Sequence, residues 1–188
     1  MRTVTRDLTL STLALLVALS LAGCTPEPEP QASESTAPTD APVFASDEEA
    51  LAAATEAYAA YLTAGDVAEG PGTPTREHFF SLSAGDAHEQ DLSISSSFDE
   101  KGWTQIGSTS FDSMAVQAIK INDENMWEIR AYVCLDVSAS DIVDSNGVSV
   151  SKANRPLRVP LEVAFIRGQD NGHLQVSESR VWSGSNFC

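Results

Sequence analysis

Apolar positions run along this chain in three successive patterns. Over positions 8–21 they are almost continuous. From Leu51 they recur at three- and four-residue intervals, through Ala54, Tyr58, Tyr61 and Leu62, and so mark one buried stripe of a helix. After Gly102 they alternate with polar residues, the pattern of strands that set one face on a core.

The helical part has recognisable punctuation. Ser46 followed by Asp47, Glu48 and Glu49 predicts an N-terminal cap with negative charge on the positive helix end. Gly65 is placed to stop that helix, and the Gly-Pro-Gly-Thr-Pro run at 70–74 is a break. A second, shorter helix is expected through Glu77, Phe79, Phe80 and Leu82, with Thr75 as its cap, and another turn or two of helix within 86–98.

Strands are predicted at 103–106, 114–121, 126–137, 157–167 and 173–182. The clearest alternation puts Trp127, Ile129, Ala131, Val133, Leu135 and Val137 on one face, with Glu128, Arg130, Tyr132, Cys134 and Asp136 on the other. Asn146-Gly147 and Asn171-Gly172 supply the positive φ that tight antiparallel turns need. Pro160 cannot donate a ladder bond, which suggests a bulge or an edge at that point. Helices first and a strand meander afterwards predict an α+β domain over 46–188, its N-terminal helices packed on a curved antiparallel sheet.

Charge narrows the function classes. With 27 acidic against 11 basic side chains, the chain carries a formal −16 and shows no basic stripe, which excludes nucleic acid as a partner. No G-x-S-x-G elbow and no glycine loop for phosphate occurs, so no cofactor is implied. His88-Glu89 opens like a zinc-protease motif, but Leu92 stands where the second ligand belongs. The stretch from Asp141 to Gly147 looks superficially like a calcium loop without its ligand spacing, and a turn explains it better. No metal site is expected.

The first apolar run, preceded by Arg2 and Arg6, has the parts of a secretory signal and is short for a permanent span. It closes on Leu21-Ala22-Gly23-Cys24, which resembles the lipobox of bacterial lipoproteins. That resemblance implies a signal peptide over 1–23 and a lipid on the Cys24 thiol, with the membrane as partner through that anchor. Two acyl chains hold a protein stably, where one holds it only marginally. The segment 24–45 then reads as a disordered Pro/Glu/Ser-rich spacer, since its 25–42 stretch contains no aliphatic residue larger than alanine. In polyproline II those residues reach about 55 Å at most.

With Cys24 acylated, Cys134 and Cys188 remain as an even pair in a compartment where disulfides persist. Zinc binding and a reactive dithiol are the weaker readings, for want of paired histidines or C-x-x-C spacing. Closing that loop would stabilise by about 4 kcal/mol. Since Cys134 falls on the polar strand face, the C-terminal Trp-Ser-Gly-Ser-Asn-Phe-Cys is expected to cross that face.

The helix, break, shorter helices and four-stranded meander resemble the cystatin-like or nuclear-transport-factor-2-like fold. The stretches Gly-Trp-Thr-Gln-Ile-Gly-Ser at 102–108, Tyr-Val-Cys-Leu-Asp-Val-Ser at 132–138, the hairpin and Val-Ser after it, and the terminal Trp-Ser-Gly with Phe-Cys are similar to small actinobacterial lipoproteins of unassigned activity. The resemblance implies a cone between sheet and helices, which some relatives use as a pocket. Glu178 and Arg180 share a strand face with Leu174, Val176 and Trp182, and would be polar groups of that pocket if no bulge intervenes. Tyr58 and Tyr61 are candidates to line it, though helix spacing more simply makes them core residues with wet hydroxyls.

The function these signs favour is a lipid-anchored protein on the extracytoplasmic face of the cell membrane. Its domain would be a noncatalytic module binding a small molecule or an envelope protein. The alternatives are a small isomerase- or dehydratase-type enzyme using the cone, and a purely structural envelope protein. No catalytic residue is assigned. A deep cavity with a buried carboxylate of raised pKa would favour the enzyme, and an apolar cavity would favour ligand binding.

Overall fold

The computed structural model describes residues 44–122, 126–168 and 172–188. The expected signal peptide, Cys24 and the spacer up to position 43 lie outside these residues, as does Asn171.

Helix α1 (Asp47–Asp66) begins as its sequence dictates. Ser46 is extended and its hydroxyl accepts from the Glu49 N–H, with Asp47, Glu48 and Glu49 in the first turn. Gly65 does not stop the helix but lies inside its last turn without the positive φ of a left-handed cap, and the ring of Phe79 packs there. A Cβ at position 65 would come 3.1 Å from that ring.

Helix α2 (Pro74–Ser81) is capped by Thr73, whose hydroxyl accepts from the Arg76 N–H, and not by Thr75. Pro74 decides this, since its locked φ and missing donor suit the first helical position. The Thr75 hydroxyl accepts from the Glu69 N–H instead, fastening the preceding loop.

Helix α3 (Gly85–Lys101) is a full 17-residue helix, far longer than the turn or two expected. Gly102 ends it in the left-handed region at φ 62°, and the Trp103 N–H reaches back to the Phe98 carbonyl.

Among the described residues six strands follow: β1 (Thr104–Gly107), β2 (Ser110–Ile121), β3 (Trp127–Asp136), β4 (Ser140–Val143), β5 (Arg158–Arg167) and β6 (Leu174–Val181). Strands β2-β3-β5-β6 form one antiparallel sheet in that order, and β1 pairs with β4 in a second, two-stranded sheet. The fold is α+β, with the three helices packed on the four-stranded sheet, as predicted. The Asn146-Gly147 turn forms beyond β4, with Gly147 at φ 76° and the Asp144 carboxylate accepting from the N–H groups of Asn146 and Val148.

The alternation predicted along β3 holds. Ile129, Ala131 and Val133 are buried on the inner face with Val163, Phe165 and Val176, against Ala50, Ala54 and Tyr58 of α1. The Tyr58 ring meets Phe111 and Phe165 edge-on, at centroid distances of 4.9 and 6.2 Å. Burying each such aliphatic or aromatic side chain stabilises by about 1.5–3 kcal/mol.

Pro160 sits opposite Cys134 in β5, an inner strand of the sheet, with no register shift there. Its carbonyl accepts from the Trp182 N–H at 2.9 Å. Its missing donor points the same way, toward Trp182 just past the end of β6 at Val181, so the β5–β6 ladder stops where the proline cannot extend it.

The register does shift elsewhere. In β2 it shifts between Asp112 and Ala115 and again between Val116 and Ala118. Between β5 and β6, Ala164 faces Glu178 while Phe165 faces Val176, so Ser177 is an extra residue. On the free side of β6, a short parallel bridge joins Ser83 to Val176, whose N–H and C=O bond Leu82 and Ala84.

Cys134 and Cys188 are joined in a disulfide, with Cα atoms 5.4 Å apart. As expected, the C-terminal segment crosses the outer face of the sheet. The Tyr132 ring lies 4.6 Å from that of Trp182 and 5.7 Å from that of Phe187.

Candidate functional site

Between the three helices and the inner face of the sheet lies a cavity of about 450 Å³. Its wall is assembled from distant parts of the chain. Helix α1 supplies Tyr58, Tyr61, Leu62 and Asp66; α2 supplies Arg76 and Phe79; α3 supplies Ile94, Ser95, Phe98 and Asp99. Trp103 and Gln105 close one side, and Leu135, Val137, Leu161 and Ser179 come from the sheet end. Gly65 leaves room for Phe79 to lean over α1, its ring 5.3 Å from that of Tyr61.

The polar groups in this wall are mostly committed to one another. Arg76, only 9% exposed, binds both oxygens of Asp99 at 2.7 and 3.1 Å and donates its Nε to the Glu69 carbonyl at 2.6 Å. A two-point guanidinium–carboxylate pair fixes α2 against α3 with defined geometry. Asp66 accepts from Gln105 Nε2 at 2.6 Å and from the Thr109 N–H at 2.8 Å, tying the end of α1 to the first strands.

Behind the wall lies a buried carboxylate. Tyr61, which lines the cavity, donates its hydroxyl to Asp91 Oδ1 at 2.7 Å, and Asp91 is 6% exposed. The second oxygen of Asp91 is buried without a hydrogen bond among the described residues. Burial pushes the Asp91 carboxyl above the usual aspartate range, against the opposing pull of the Tyr61 hydroxyl, the Ser83 hydroxyl and His88. The Tyr61 and Tyr58 phenols are both pushed up by burial, Tyr61 further by the Asp91 charge. Nδ1 of His88 lies 3.3 Å from Ser83 Oγ and 3.2 Å from the Phe80 carbonyl.

The four residues proposed from sequence divide two and two. Tyr58 and Tyr61 line the cavity, as their candidacy required, but their hydroxyls differ from the expected wet ones: that of Tyr61 is bound to a buried acid. Glu178 and Arg180 do not reach it. The bulge at Ser177 reverses the alternation, so they face outward where Leu174 and Val176 face inward. On that outer face Glu178 pairs with Arg130 at 3.3 Å, and Arg180 pairs with Asp86 at 2.9 Å. Arg130 also binds Glu128 at 2.6 Å.

Asp91, Arg76 and Asp99 were not singled out from sequence. The one available signal was an acid on a helical stripe: Ala87, Asp91, Ile94 and Phe98 recur at three- and four-residue spacing in a serine-rich segment. Among the described residues, no group of three His, Cys, Asp or Glu side chains converges as a metal site, and no helix is long and apolar enough to cross a membrane.

No protein-family model matches the chain, and no curated protein matches it. Among solved structures, the intermembrane space region of the chloroplast protein ARC6 aligns with a TM-score of 0.48 and 9% identity, covering 71% of this chain and 97% of that one. A periplasmic fragment of TraM aligns at 0.44 and 12% identity, covering 74% and 100%. A protein from Catenulispora acidiphila aligns at 0.42 and 14% identity, covering 70% and 88%. All three scores lie below one half, and none of these likenesses carries a functional reading.

Proposed function

We propose that the protein is an extracytoplasmic lipoprotein, held on the cell membrane through an acylated Cys24, whose domain binds a small molecule in the cavity between helices and sheet without transforming it. The observation that carries the binding reading is the cavity itself. It has the size of a ligand pocket, and its wall is largely aromatic and aliphatic. The polar side chains in that wall favour binding over chemistry. Arg76, Asp99 and Asp66 are occupied by each other or by Gln105 and the backbone, which orients a ligand but leaves no evident nucleophile–base pair. The lipobox-like Leu-Ala-Gly-Cys and the disulfide support the address.

Native mass spectrometry of the protein purified from its host tests the cavity reading. A recurrent small-molecule adduct is the expected result, and a bare mass across growth conditions overturns it. Labelling with alkyne-tagged palmitate tests the anchor: the wild type should take up label and Cys24→Ser should not.

An isomerase- or dehydratase-type enzyme is the second reading, and Asp91 is what favours it. A buried carboxylate with a raised pKa beside a cavity is the kind of group that moves protons. It ranks lower because Asp91 is not itself in the wall. Only Tyr61 stands between it and a ligand, and the Tyr61 proton is already given to Asp91.

A further inference from the structure

We infer that the ligand of this cavity is an organic cation with an apolar body, an inference that rests on the binding reading above. The charges in the wall do not cancel. Asp66, Glu69, Arg76 and Asp99 all contribute to it, and the Arg76 guanidinium is taken up by Asp99. Asp66 is held by two neutral donors, an amide side chain and a backbone N–H, which orient its charge without neutralising it. Glu69 is exposed at the cavity, and its carboxylate makes no ion pair among the described residues. Asp66 and Glu69 are therefore two lining acids without a cationic partner, and Arg76 is the only lysine or arginine among the described lining residues.

The remainder of the wall suits the same ligand. Tyr61, Phe79, Phe98 and Trp103 line the space with aromatic rings, and a ring face attracts a cation within about 6 Å of its centroid. Trp103 already does this once: Lys101 Nζ lies 4.3 Å from its ring centroid. The formal charge of −16 adds a long-range field of the same sign. An anion of equal shape would meet two carboxylates and an arginine already engaged, and a neutral molecule would gain the apolar contacts alone. The order of affinity is cation, neutral molecule, anion.

Three molecules of one shape test this: benzyltrimethylammonium, neopentylbenzene and benzylsulfonate. Their binding to the full chain carrying Cys24→Ser is read by ligand-observed NMR at fixed ionic strength. The ammonium should bind about tenfold more tightly than the hydrocarbon, with the sulfonate weakest. Glu69→Gln, a change at an exposed position, should cut the ammonium's advantage about threefold and leave the hydrocarbon unchanged. Glu69→Lys should abolish that advantage. Equal binding of all three, or preference for the sulfonate, overturns the cationic ligand while leaving a binding cavity intact. Binding of none of them to a folded protein removes the cavity reading together with it.

Discussion

The Tyr61 hydroxyl and the Asp91 carboxylate, thirty residues apart in sequence, meet at 2.7 Å and join α1 to α3 behind the cavity wall. The bond turns a lining tyrosine into a fixed surface, because the ring cannot swing into the cavity without stranding a buried acid. Tyr61→Phe should destabilise the fold by about 1–3 kcal/mol, as measured by urea unfolding, since it removes a bond from a buried polar group while keeping the ring. A neutral result would mean that water replaces the hydroxyl.

Asp91 also predicts a pH dependence. Its folded pKa lies above the ordinary 3.8, so the folded protein holds this proton more tightly than the unfolded chain. Its contribution is whole below the ordinary value and is lost as pH rises through the raised folded value. Asp91→Asn cannot ionise and keeps an acceptor for Tyr61. The melting temperature of the variant minus that of the wild type should therefore be smallest at about pH 3.5 and should increase toward about pH 7.

The Arg76–Asp99 pair is part-buried, so breaking one side leaves a charge in poor surroundings. Arg76→Met should cost about 3 kcal/mol, and adding Asp99→Asn should recover part of that loss. Chemical denaturation of the single and double variants measures both.

Gly107 leaves no space for a side chain. It has φ 79°, and a Cβ there would run into the backbone carbonyl of Ala139 across the β1–β4 ribbon. Gly107→Ala should cost about 2 kcal/mol or more, whereas Gly147→Ala, at a similar φ with open space, should cost about 1 kcal/mol. Thermal unfolding of the two variants separates collision from conformational strain.

Replacing Cys134 and Cys188 together with alanine should lower stability by about 2–4 kcal/mol. It should also free Trp182 and Phe187 from Tyr132, so tryptophan fluorescence should change before global unfolding.

The elements that follow a simple period were legible from sequence. Helix α1 and strand β3 each bury one regular face, and Cys134 could be placed on the outer side of its strand because alternation holds there. Helix α3 was hidden because its buried stripe includes Asp91, which reads as solvent-facing until Tyr61 is brought to it. The cap of α2 was misplaced by two residues because Thr73 and Thr75 flank the same proline. Glu178 and Arg180 were assigned to the wrong side because one extra residue, Ser177, reverses a two-residue period. The cavity joins side chains from three helices and several strands, and no local pattern encodes such a meeting.

The irregularities of β2 and the segment at Ser83 have a consequence for life among many copies. An open sheet invites a neighbour to add a strand at either end. Here one end is kinked twice, between Asp112 and Ala115 and between Val116 and Ala118, and the other is partly occupied by Leu82–Ala84 alongside Val176. Neither margin offers a long straight template, so neighbouring copies resist fusing into fibrils.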